Sequence, residues 1–146
     1  MTAASAETRL ATPKAAVRTG GAVAHGRARR GAAAEAAGRA AETLACAALE
    51  RDGWTILGRR LRTPAGEIDV AAEKTGLLAL VEVKARPSLA VAAAALGAAQ
   101  QRRLADAAEI LLTRHSNWGR AGVRFDLMVV DGQGRVRRVA DAFRLG

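Results

Sequence analysis

Apolar positions along the first third of the chain follow no period until about residue 38. Residues 1–33 hold scattered Gly, Pro, Thr and Arg and read as a disordered basic tail, with a single domain over 34–146. From Gly38 to Arg51, Ala41, Leu44, Ala45, Ala48 and Leu49 recur at i, i+3, i+4, i+7 and i+8, the spacing of one helical face. Asp52-Gly53 supplies the stop. The period then shortens to two. Trp54–Leu61, Glu67–Ala72 and Leu77–Lys84 read as strands, separated by Thr63-Pro64-Ala65-Gly66 and Glu73-Lys74-Thr75-Gly76. Pro87 to about Leu96 reads as a loop with scope for some helix. Ala98–Arg114 returns to helical spacing, with Leu104, Ala107, Ala108, Leu111 and Leu112 inward. Val123–Val130 and Arg135–Val139 are two further strands around the turn Asp131-Gly132-Gln133-Gly134. That turn lacks the acidic residues of a calcium loop. Helix, three strands, helix, two strands predicts an α/β fold. Three strands form an antiparallel meander, a helical crossover follows, and a mixed sheet of about five strands is flanked by helices.

Polar residues inside two of these strands disturb an otherwise simple pattern. Side chains alternate faces along a strand, so Glu67 and Asp69 are expected on one face and Ile68 and Val70 on the other. Glu82 and Lys84 share a face in the next strand, within the run LALVEVK. Pairing around Gly76 would bring the acidic faces together. Adjacent carboxylates repel, and a divalent cation with a preference for hard oxygen ligands, Mg²⁺ or Mn²⁺, relieves that conflict. A metal-activated water with Lys84 beside it is an arrangement for phosphodiester hydrolysis. The alternative is a set of solvent-facing strand residues with incidental ion pairs. Glu42 borders the apolar stripe of the first helix, either as a metal ligand or a group holding one, or as an exposed acid. Gln100 is expected near the inner face of the second helix, where satisfaction of core polar groups explains it equally well.

Charge narrows the choice of partner. Net charge is +9 in 146 residues, which points to an anion, nucleic acid first. The charge is uneven. Residues 1–37 hold six basic and two acidic side chains and residues 85–146 ten and five, whereas 38–84 hold seven of each. Cys46 is the sole cysteine. It excludes an intrachain disulfide and a Cys-rich zinc site, and reads as a small buried hydrophobe in a reducing cytoplasm. No apolar run approaches the ~20 residues that span a bilayer.

Taken in order, GRAAE (38–42), GEIDVAA (66–72), LVEVKAR (80–86), QQRRLADAA (100–108) and RFDLMVV (124–130) resemble the YraN-type bacterial proteins. That group is described as Holliday-junction-resolvase-like, with a restriction-endonuclease-like fold. The resemblance covers residues 34–146. It implies a nuclease triad of Asp69, Glu82 and Lys84, a metal held by Asp69 and Glu82 with Glu42 as accessory acid, Glu67 as an accessory residue beside them, and phosphate contacts from Arg62 and Arg86. Gln100 is expected as an accessory residue from its place near the inner face of the second helix. The chain departs from the usual pattern at Arg60, where Asn is frequent, and at Gln100, where Lys is frequent. An aromatic residue common before the third-strand Glu is also missing, with Leu80 and Val81 there.

The leading expectation is a Mg²⁺- or Mn²⁺-dependent DNA endonuclease, structure-specific or resolvase-like. A resolvase cutting two strands symmetrically would be expected to dimerise. The alternatives are a non-catalytic nucleic-acid-binding accessory of repair or recombination, and a basic interaction protein whose acids are simply surface.

Overall fold

The computed structural model describes residues 22–89 and 96–144. Most of the expected tail, residues 1–21, lies outside the described residues, as do 90–95 of the expected loop. Helix α1 (Ala22–Arg51) begins well before the apolar stripe, so the stretch from 22 to 33, expected to be irregular, is helical. An apolar stripe marks where a helix is buried. Alanine and arginine cost little to hold helical even without a face to bury. The chain divides after Ala37, and the unit Gly38–Gly146 contains the whole sheet.

The strands are β1 (Thr55–Thr63), β2 (Gly66–Lys74), β3 (Leu77–Ala85), β4 (Gly122–Val130) and β5 (Val136–Phe143), with α2 (Ala98–Arg114) between β3 and β4. They lie in the order β1-β2-β3-β4-β5. Neighbours are antiparallel except β3 and β4, which are parallel. A parallel neighbour needs a crossover, and α2 is that crossover.

Period-two alternation sends each strand's apolar residues to two cores. Val70, Ala72, Ala79, Val81 and Met128 pack with Ala45, Cys46 and Leu49 of α1. Ala71, Leu78, Leu80, Leu127 and Val129 pack with Leu104, Ala107, Ala108 and Leu111 of α2. Each helix therefore covers one face. Cys46 is buried, as expected, and burial raises its thiol pKa.

One acid is enclosed in this framework. Asp126 of β4 has a side chain with no exposed surface. Its Oδ1 accepts Arg124 Nε at 2.9 Å and the Asp141 amide at 2.9 Å, and its Oδ2 accepts Arg138 Nη2 at 2.8 Å. Both guanidinium groups stack on Trp54, 5.1 and 4.7 Å from its ring centre. A buried carboxylate survives only when so paired.

Candidate functional site

The regular ladder between β2 and β3 runs from Lys74↔Leu77 to Val70↔Val81 and stops there. One step further, where Asp69 would face Glu82, a side chain replaces the backbone: the Val83 amide donates to Asp69 Oδ2 at 2.8 Å. Alternation breaks at the same rung. Ile68 packs in the α2-side core and Val70 in the α1-side core, although residues two apart normally share a face. The partner strand breaks with it. Arg59 pairs with Val70 and Leu61 with Ile68, which sets Arg60 opposite Asp69. Arg60 has φ 52°, left-handed backbone that is uncommon for a residue other than glycine, Asn or Asp. The frequent Asn of the resembling proteins suits this backbone.

This kink corrects the expectation that Glu67 and Asp69 stand together on one face. Glu67 is exposed and its nearest charge is Arg62, with Oε2 3.5 Å from Nε. Simple alternation had no means to anticipate a left-handed residue in mid-strand.

Asp69 and Glu82 do meet. The Val83 amide holds the Asp69 carboxyl next to Glu82, and the Asp69 pKa is pushed up to about 7, mainly by burial, then by the Glu82 charge. The Val83 hydrogen bond pulls the other way, and the Glu42 charge adds to the rise. Glu82 is nearly enclosed, its side chain 12% exposed, and Lys84 Nζ lies 3.2 Å from its Oε2. The same oxygen accepts Gln100 Nε2 at 2.9 Å. Gln100 thus faces the sheet from the start of α2 and fixes one acid of the pair.

Glu42 approaches from the other helix. It is buried, and its Oε1 accepts Arg60 Nε at 2.8 Å. The two helices therefore bring one polar residue each to the place where the sheet opens. Arg62 is exposed, with 88% of its side-chain surface free, and its backbone carbonyl accepts Arg114 Nη1. Arg86 is exposed at the end of β3.

Among the described residues no group of three or more His, Cys, Asp or Glu is arranged to hold a metal ion. Two neighbouring carboxyls, one with its pKa raised to about 7, are nonetheless a hard-oxygen donor pair of the kind Mg²⁺ accepts together with water. The donor chemistry fits such a cation through Asp69 and Glu82. Glu42, by contrast, is occupied by Arg60. The sequence assigned no role to two charged residues. Asp126 had a signal in the apolar run FDLMVV, where an acid needs a partner. Arg60 had a weaker one in GRRLR, where alternation sends adjacent Arg59 and Arg60 to opposite faces of a sheet that helices cover.

Known proteins are similar to this chain over most of its length. A model of the Uncharacterised protein family UPF0102 matches residues 41–130. The chain belongs to the UPF0102 family. A UPF0102 protein of Granulibacter bethesdensis is 60% identical over 116 residues, covering 80% of this chain and 73% of that one. One of Azorhizobium caulinodans is 44% identical over 117 residues, covering 80% and 89%. One of Parvibaculum lavamentivorans is 45% identical over 114 residues, covering 78% and 86%. UPF0102 membership bears out the YraN-type resemblance, and the matched segment contains Glu42, Arg60, Asp69, Glu82, Lys84 and Gln100. No described helix is long and apolar enough to cross a membrane.

Proposed function

We propose that this UPF0102 protein is a metal-dependent DNA endonuclease acting on branched or otherwise structured DNA. The observation that carries the reading is the Asp69 carboxyl held on the Val83 amide beside Glu82, where β2 parts from β3, with Lys84 on Glu82. Folding two acids together is costly, and a hard cation is what such a pair suits. Asp69 and Glu82 would hold Mg²⁺ or Mn²⁺. Bound there, the ion would supply charge neutralisation and a more acidic water.

The chain's own residues do the rest. The Val83 amide and the Gln100 amide orient the two acids from outside, which limits their rotation. Lys84 brings a positive charge beside the pair, suited to a non-bridging phosphate oxygen or to positioning the attacking water. Arg62 and Arg86, both exposed, suit the flanking backbone. Cutting both strands of a junction would require two copies of the site and hence a homodimer.

A non-catalytic nucleic-acid-binding module is the second reading. It is favoured by the lack of a three-acid group among the described residues. Cleavage assays separate the two. Purified protein is incubated with branched, flapped and linear DNA in Mg²⁺ or Mn²⁺, beside Asp69→Ala and Lys84→Ala. The endonuclease reading expects metal-dependent cleavage that falls by roughly 10²-fold or more in both variants. Tight binding with no cleavage, unchanged by either substitution, supports the binding module.

A further inference from the structure

Arg60 has no role in the functional reading above, yet its backbone and its side chain are both unusual. Its φ of 52° interrupts β1 at the rung of Asp69, and its Nε is fixed on Glu42 Oε1 at 2.8 Å. Glu42 is largely enclosed, with 11% of its side chain exposed, whereas 41% of the Arg60 side chain reaches solvent. Among the described residues only Nε has a partner, so the Nη1 and Nη2 groups carry no hydrogen bond. The guanidinium also feels the charges of Glu67 and Asp69. A buried acid thus grips one edge of an arginine and leaves its two-pronged end directed outward beside the carboxylate pair.

We propose that Arg60 is a phosphate-contact residue of this site and that Glu42 is its anchor rather than a metal ligand. An arginine held at Nε loses little further side-chain freedom when its free edge takes two phosphate oxygens, and that edge matches phosphate geometry. Arg59 also reaches α1, its Nη2 donating to Thr43 Oγ1 at 3.2 Å, while Leu61 packs on the α2 side, so the left-handed backbone lets two adjacent arginines face α1. A carboxylate whose Oε1 is committed to a guanidinium would be a poor ligand for a cation held by Asp69 and Glu82. The inference rests on the endonuclease reading, since it requires DNA at the Asp69–Glu82 pair.

The test uses the full chain and two readouts that do not depend on cleavage. The first is binding of a branched DNA in EDTA over a range of salt, for wild type, Arg60→Asn and Arg60→Lys. Asn tolerates positive φ, so Arg60→Asn keeps the strand kink, and an unchanged circular dichroism spectrum verifies the fold. Loss of one phosphate contact is expected to lower the slope of log K against log[salt] by about one, with the slope retained in Arg60→Lys. The second is Mn²⁺ affinity of Glu42→Gln without DNA, expected within about twofold of wild type, whereas removal of a ligand or of a group supporting one would cost about 10-fold or more. A folded Arg60→Asn with wild-type affinity and slope overturns the assignment of Arg60 alone. A 10-fold loss of Mn²⁺ affinity in Glu42→Gln overturns the anchor role. Failure of the wild-type chain to bind DNA at all overturns the functional reading and this inference with it.

Discussion

Asp69 shows how much one side chain's surroundings can alter its chemistry. An aspartate ordinarily releases its proton near 3.8, but here the pKa is about 7. The folded chain therefore binds more protons than the unfolded chain between those values. Stability from this group is greatest below about pH 4, falls as pH rises toward 7, and is level above that. Asp69→Asn, which cannot ionise, should match wild type near pH 4 and exceed it at pH 8 in urea midpoint. Parallel pH profiles for the two proteins would refute this. If the pair holds Mg²⁺ as proposed, the cation would offset the same penalty: at 100 times its dissociation constant it should stabilise wild type by about 2.7 kcal/mol at pH 8, and Asp69→Asn far less. Gln100 acts one step away. Its amide holds Glu82 Oε2, so if the pair binds Mn²⁺ as proposed, Gln100→Ala is expected to weaken that binding by roughly 10-fold with little change in melting temperature, as titration calorimetry beside a thermal scan would reveal.

Among the elements, β4 and β5 are joined by more than their ladder. Asp126 receives Arg124 from its own strand, and Arg138 and the Asp141 amide from the next. The register between those strands shifts at Phe125/Leu127, and Asp126 is the residue at that irregularity. Its carboxylate satisfies an amide that the shifted ladder does not. Asp126→Ala removes a fully enclosed charge and leaves two guanidinium groups against Trp54 without it, so a loss of about 3–5 kcal/mol is expected in urea unfolding. A loss under 1 kcal/mol would mean the two arginines find solvent without difficulty. Element boundaries were largely legible beforehand, because turn residues such as Gly76 and Gly134 sit at positive φ and interrupt the apolar runs there. The kink at Arg60 was not legible, since its cause is a backbone conformation fixed by contacts on either side of the sheet.

For the whole molecule, charge and fold are divided differently along the chain. Residues Gly38–Gly146 form one compact unit and contain both apolar cores. Residues 1–37 add a net charge of +4, six basic against two acidic side chains. A chain beginning at Gly38 should therefore melt within a few degrees of the full chain. If the protein binds DNA as proposed, that shorter chain should bind more weakly, with a smaller salt slope. Equal affinity and slope for the two lengths would assign all phosphate contacts to the unit that carries the sheet.

Sequence by itself determined the elements, their order and the two-sided sheet. Those follow from local periods of 2 and 3.6 and from the need to bury each apolar face. It also singled out Asp69, Glu82 and Lys84, because acids inside an apolar strand are costly wherever that strand lies. Tertiary structure alone decided which acids meet. Asp69 reached Glu82 and Glu67 did not, because β1 and β2 break alternation together at Arg60 and Asp69. Glu42 was drawn to an arginine, and Gln100 to Glu82, across separations of 18 residues each. Such pairings depend on how two helices cross opposite faces of one sheet, a relation that no local period encodes.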